Sequence, residues 1–223
     1  METKDFLANG TAISYLKSGQ GQAIILLHGN MESNRIFAGI IETLSSNGYM
    51  VFAPDTRSHG KSAKVKRLNY NDMACDVKAL IDHEKINEPI IFGFSDGGIV
   101  GLLLAIKYPG LLKKLFVAGI NLTPNGVKPL WRFLMRLMFC FTLSDKMRLL
   151  IKQPDITVEQ LKTIETPTIV FYAEKDIVKF SDSQIVVDNV KQSKLVFVPK
   201  EDHGSYVLDN CKLFDILMAN GIS

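Results

Sequence analysis

Cysteine is scarce in this sequence. Cys75, Cys140 and Cys211 are odd in number, widely separated and lack CxxC or Cys/His spacing, so neither a disulfide framework nor a zinc site is indicated, and a reducing compartment is the simplest reading. No apolar run approaches the ~18 residues of a membrane-spanning helix. The longest greasy stretch, 130–141, is interrupted by Arg132 and Arg136. The opening METKDFLANG carries Glu2, Lys4 and Asp5 where a secretory leader has an apolar core, and a cytoplasmic protein is expected. An excess of one charge is missing too: 26 basic and 23 acidic residues are interspersed for a net +3, which gives a nucleic-acid partner no footing. With 16 Gly and 8 Pro the chain is neither collagen-like nor disordered. Its 223 residues, 47% of them apolar, suffice for one large domain, since a chain of this size buries roughly 70% of its unfolded surface.

What the sequence does have is an alternation of short aliphatic runs with longer helical patterns. Residues 6–8 and 12–17, separated by Asn9-Gly10, read as a hairpin because Asn-Gly supplies the positive φ angles of a tight turn. Residues 23–27, 50–53, 90–92, 114–118, 168–172 and 195–198 are continuous apolar runs, as parallel strands buried on both faces require. Helical stretches lie over 33–46, 70–84, 96–107, 181–190 and 205–218, long enough for parallel crossovers. The expected class is α/β, a mostly parallel eight-stranded sheet with helices on both faces.

One interval breaks the rhythm. The residues between 119 and 168 far exceed a single crossover and hold Asn125-Gly126 and at least two helical patterns. They read as an inserted helical cap over 121–165, with 1–120 and 166–223 forming the core domain. The first cap helix puts Leu130, Leu134, Leu137 and Phe141 on one face and Lys128, Arg132 and Arg136 on another. The last opens with the capping-box spacing of Thr157 and Gln160.

The segment richest in chemistry is Gly93-Phe94-Ser95-Asp96-Gly97, which leaves an apolar strand and opens a helix. A serine on so sharp a turn projects its hydroxyl outward, and the flanking glycines keep the backbone from colliding across it. Serine also caps helices, but a cap does not need glycine at both offsets. A serine nucleophile requires a base. Of the four histidines, His28 suits bracing the loop after the third strand, His59 sits in a tight turn, and His83 ends a polar helix. His203 follows the last strand at the carboxyl edge where catalytic groups gather in open α/β sheets. The acid that orients it is expected at Asp176, beyond strand 168–172, with Glu174 and Asp202 as rivals. Two backbone N–H groups would hold the oxyanion, those of Asp96 and Asn30. The same chemistry calls for no metal and no organic cofactor.

These motifs, His28-Gly29, Asp55 to Ser62, the GFSDGG turn at Ser95, Asp176 and His203, together resemble the α/β-hydrolase fold superfamily across nearly the whole chain. The Ser95-Asp96-Gly97-Gly98 turn resembles, within it, serine hydrolases of the subgroup of small carboxylesterases, C-C bond hydrolases and amino-acid-ester hydrolases. Ser58 stands where the family pattern Asp-x-Arg-Gly-x-Gly-x-Ser has glycine, and the cap is shorter than in many relatives. The resemblance implies a nucleophile elbow and acyl chemistry; a serine in place of aspartate argues against epoxide hydrolases and haloalkane dehalogenases.

The expected activity is hydrolysis of a small or medium carboxylic ester through an acyl-enzyme. Thioesters and C-C bonds remain open to the same triad, and a non-catalytic receptor on the same scaffold is the reading from another class. Trp131, Phe133, Met135 and Met138 are the candidates to line the substrate pocket, although packing of the cap explains each as well. A lipid-surface role for Trp131, Phe133, Phe139 and Phe141 ranks low, because an apolar cap face ordinarily covers the pocket. The expected partner is a small-molecule ester, without nucleic acid or stable membrane association, in a monomer or homodimer.

Overall fold

The structure, a computed structural model, describes residues 1–222. Eight strands, β1 (Glu2–Ala8), β2 (Thr11–Gly19), β3 (Gln22–Leu27), β4 (Tyr49–Pro54), β5 (Ile90–Phe94), β6 (Lys114–Ala118), β7 (Thr168–Lys175) and β8 (Ser193–Asp202), form one sheet in the order β1-β2-β4-β3-β5-β6-β7-β8. From β4 across to β8 every pairing is parallel; β2 runs antiparallel to both β1 and β4. Asn9 (φ 47°) and Gly10 (φ 80°) make the hairpin turn.

The central strands are apolar throughout because both faces are covered. In β3, Ile25 and Leu27 point into one core while Ile24 and Leu26 point into the other. The first core is closed by α2 (Tyr70–His83), α3 (Asp96–Lys107) and α7 (Phe180–Asn189), the second by α1 (Ala38–Ser46), α8 (Ser205–Leu208) and α9 (Asn210–Ala219). Phe92, Phe116 and Phe171 are completely buried in the second core, and each such side chain contributes about 1.5–3 kcal/mol. Between β6 and β7 lie α4 (Pro129–Thr142), α5 (Asp145–Lys152) and α6 (Val158–Leu161). The Thr157–Gln160 capping box forms at the start of α6.

Two expected helices differ. Residues 34–37 form a tight 3-10 turn ahead of α1, anchored at Asn34, whose N–H donates to Asp55 Oδ1 (2.8 Å) and whose side-chain amide donates to the Ala53 carbonyl (3.1 Å). The expected helix 205–218 breaks at Asp209, whose extended backbone and carboxylate, accepting from Lys212 N–H (3.1 Å), start α9 afresh. Strands β7 and β8 also run farther than expected, and the Lys200 N–H donates to Glu174 (2.7 Å) to hold their polar ends together. Ser58 takes φ 64°, and its hydroxyl accepts from Val65 N–H (2.9 Å), so the turn keeps the left-handed backbone that glycine usually supplies there.

Candidate active site

The turn from β5 into α3 puts Ser95 at φ 52°, ψ −116°, a backbone that costs a non-glycine residue roughly 1–3 kcal/mol. The surroundings impose it. Ser95 N–H donates to the Ala118 carbonyl (2.8 Å), and its own carbonyl accepts from Gly98 N–H (2.9 Å). A side chain at Gly93 would collide with the Gly97 backbone, and one at Gly97 with the backbone of Leu27.

At the carboxyl edge of the sheet, three side chains from distant parts of the chain meet. His203 Nδ1–H donates to Asp176 Oδ1 at 2.6 Å, which leaves Nε2 to accept from the Ser95 hydroxyl at 3.1 Å. Asp176 is 1% exposed, and the same Oδ1 accepts from Val178 N–H (3.1 Å). The rivals lie elsewhere: Glu174 holds Lys200 N–H, and Asp202 accepts from the N–H groups of Gly204 and Ser205. The Phe94 ring packs 5.0 Å from the imidazole of His203.

The other histidines have separate work. His28 is buried; its Nδ1–H donates to the Gly29 carbonyl (2.7 Å) and its Nε2 accepts from Thr56 N–H (3.1 Å), joining the loops after β3 and β4. Burial pushes His28 and His59 down to about 4, so both are neutral near pH 7. His83 is exposed and stacks on Phe6, with ring centroids 5.0 Å apart.

Asn30 and Asp96 come together beside Ser95. Their main-chain N–H groups donate to no acceptor among the described residues. Their side chains are joined: Asn30 Nδ2 donates to Asp96 Oδ2 (2.8 Å), and Tyr70 Oη donates to Asp96 Oδ1 (2.8 Å). Burial pushes the Asp96 carboxyl up to about 6 against these two donors.

A cavity of about 450 Å³ opens over Ser95 and His203. Trp131, Met135 and Met138 line it, and Phe133 does not. On a helix of 3.6 residues per turn, 131, 134, 135 and 138 share one side while 133 points away from it. Leu134, Leu137, Met147, Leu150 and Ile177 complete an apolar wall.

Several residues of the site escape sequence reasoning. Glu32 also lines the cavity, its carboxylate accepting from Gly29 N–H (2.8 Å), and burial pushes its pKa up. Lys128 Nζ donates to the Asp176 carbonyl (2.6 Å), Lys128 N–H to the Ile177 carbonyl (2.9 Å), and Val127 bridges to Val178, so the root of α4 is stapled to the loop carrying Asp176. Only the cavity-facing spacing along α4 was available in the sequence to find such residues; Glu32, Tyr70 and Lys128 act through contacts that no local pattern marks.

Residues 22–142 match the family model described as alpha/beta hydrolase fold. The chain belongs to that family. It is 25% identical to the serine hydrolase BPHL of Mus musculus over an alignment of 232 positions, gaps included, covering 89% of this chain and 79% of that protein. A shorter match, 32% identical over 104 residues, links 46% of the chain to 30% of a probable alcohol acetyltransferase of Wickerhamomyces anomalus. Among solved structures, the esterase EaEST of Exiguobacterium antarcticum superposes with a TM-score of 0.87 at 20% identity, covering 100% of both chains. Family membership agrees with the α/β class expected from the sequence and with an enzyme of hydrolase type.

Proposed function

We propose that this protein is a serine hydrolase that cleaves small or medium carboxylic esters through an acyl-enzyme. The observation that carries the proposal is the unbroken relay from Ser95 Oγ through His203 to a buried Asp176, lying at the floor of an apolar cavity. Ser95 attacks the ester carbonyl while His203 Nε2 takes its proton. Asp176 holds Nδ1–H and offsets the charge that develops on the imidazolium. The free N–H groups of Asn30 and Asp96 receive the oxyanion, with the positive end of α3 behind the second. His203 then protonates the leaving alcohol, and a water activated by the same imidazole releases the acid.

In this reading residues 121–165 act as the cap that selects the substrate, with Trp131, Met135 and Met138 against its acyl or alcohol part. The names of the similar proteins, a serine hydrolase, an esterase and an acetyltransferase, agree with acyl chemistry. The test is a panel of p-nitrophenyl esters of rising chain length, with a thioester and a vinylogous diketone, run on wild type and Ser95→Ala. Ester turnover lost in Ser95→Ala, together with loss of fluorophosphonate labelling, supports the proposal. Turnover or labelling that survives in that variant refutes it.

A further inference from the structure

Helix α4 is unusual in having no buried residue along its 14 positions. Of the fifteen large apolar side chains exposed among the described residues, eight fall between residues 130 and 143. Lining the cavity accounts for Trp131, Leu134, Met135, Leu137 and Met138. Leu130 (65% exposed), Phe133 (62%) and Phe141 (81%) lie outside the cavity lining, Leu130 and Phe141 continuing the face of Leu134 and Leu137 toward the two helix ends, and Leu143 follows past the last turn. A contiguous apolar surface of this kind marks an interaction site.

Charge says what kind. Residues 124–152 carry six basic side chains against one acidic, a local net charge of +5 in a chain of net +3, so the other residues together are net −2. From 121 to 144 there is no acidic residue at all. Lys128, Arg132 and Arg136 form no ion pair among the described residues. A symmetric contact with a second copy would press these unpaired positive charges together, which disfavours self-association through this face. No described helix is long and apolar enough to cross a membrane, and α4 at 14 residues matches a helix lying in the plane of a bilayer, aromatic and aliphatic side chains down and basic ones reaching the headgroups.

We propose that α4 docks the protein on an anionic lipid surface, inserting Leu130, Phe133, Phe141 and Leu143 between headgroups that Arg132 and Arg136 neutralise. The helix that docks is the one that lines the cavity, so docking brings the cavity beside the acyl region of the bilayer. From the sequence a lipid-surface role ranks low because an apolar cap face ordinarily covers the pocket; in the structure Leu130, Phe133 and Phe141 lie outside the cavity lining.

The experiment is vesicle flotation of the full chain carrying Ser95→Ala, which separates lipid binding from any ester turnover. Vesicles are phosphatidylcholine alone or phosphatidylcholine with one part in three of phosphatidylglycerol. The expected result is retention on the anionic vesicles only, weakened roughly tenfold by Leu130→Ser/Phe141→Ser, by Arg132→Gln/Arg136→Gln and by high salt. Leu130, Arg136 and Phe141 are exposed and the Arg132 side chain is half-buried with only Asn125 as its partner among the described residues, so circular dichroism should match the parent. Absence of retention, or retention equal in all three proteins, would overturn the proposal. So would a dimer in analytical ultracentrifugation that Leu130→Ser/Phe141→Ser dissociates while vesicles stay bare, which would assign the face to a second copy.

Discussion

Gly119, at φ 64°, lies directly under the imidazole of His203: a Cβ at that position would stand 2.6 Å from Cε1 and 2.9 Å from Nδ1. The missing side chain is therefore part of what sets the height of the ring over Ser95. Gly119→Ala adds backbone strain and displaces the ring, and a displacement near 1 Å costs roughly 100-fold in turnover. Steady-state kinetics with a soluble ester checks this, with circular dichroism to confirm that the fold persists. Unchanged kcat would contradict it.

Asp176→Asn preserves shape but presents an amide to Nδ1, favouring the wrong tautomer. A drop in kcat of about 10⁴ is expected, with KM little changed. His203→Ala should reduce turnover at least as far, whereas His83→Ala, on the exposed Phe6 stack, leaves it within a few-fold. Equal losses from the two histidine variants would sink the relay.

The Asp96 carboxyl rests at about 6 when folded because burial disfavours its charge. Its contribution to stability is complete below the ordinary carboxylate range and is lost as pH rises through about 6, a swing of about 3 kcal/mol. Asp96→Asn removes this titration. Between pH 4 and pH 7 the melting temperature of the variant should therefore gain on that of wild type. A difference that does not change with pH would show that Asp96 keeps an ordinary pKa.

Trp131 fills one side of the cavity from α4. Trp131→Ala enlarges the space and should shift kcat/KM toward longer acyl chains, by about tenfold between adjacent optimum lengths, while Phe133→Ala, off the cavity, leaves the chain-length profile in place. A p-nitrophenyl ester series measures both.

The positions of the central strands and the β5–α3 turn are legible because each is written locally: Ile24 to Leu27 are apolar without interruption since both faces are covered, and Gly93 and Gly97 flank Ser95 within five residues. His203 could be singled out because only four histidines exist and three sit in loops or helix ends with other uses. Glu32, Tyr70 and Lys128 could not be read in this way. Their partners lie on other elements, and nothing in HGNMES or in the start of α2 announces a bond to Gly29 or Asp96. Phe133 lies outside the cavity lining, which the sequence does not reveal because hydrophobicity marks an apolar helix but not which of its sides meets the protein. The breaks at Asn34 and Asp209 are hidden for a related reason: periodicity does not register a side chain bonded to a distant carbonyl, as Asn34 is to Ala53, or a local cap such as Asp209 on the Lys212 N–H.

The staple between Lys128 and the Asp176 loop has a consequence for how such a molecule can diversify. Insertions or deletions within 127–128 would drag on the carboxylate, so new specificities are more easily gained by exchanging side chains farther along α4 than by resizing its root. Substrate range can then drift while the proton path stays fixed.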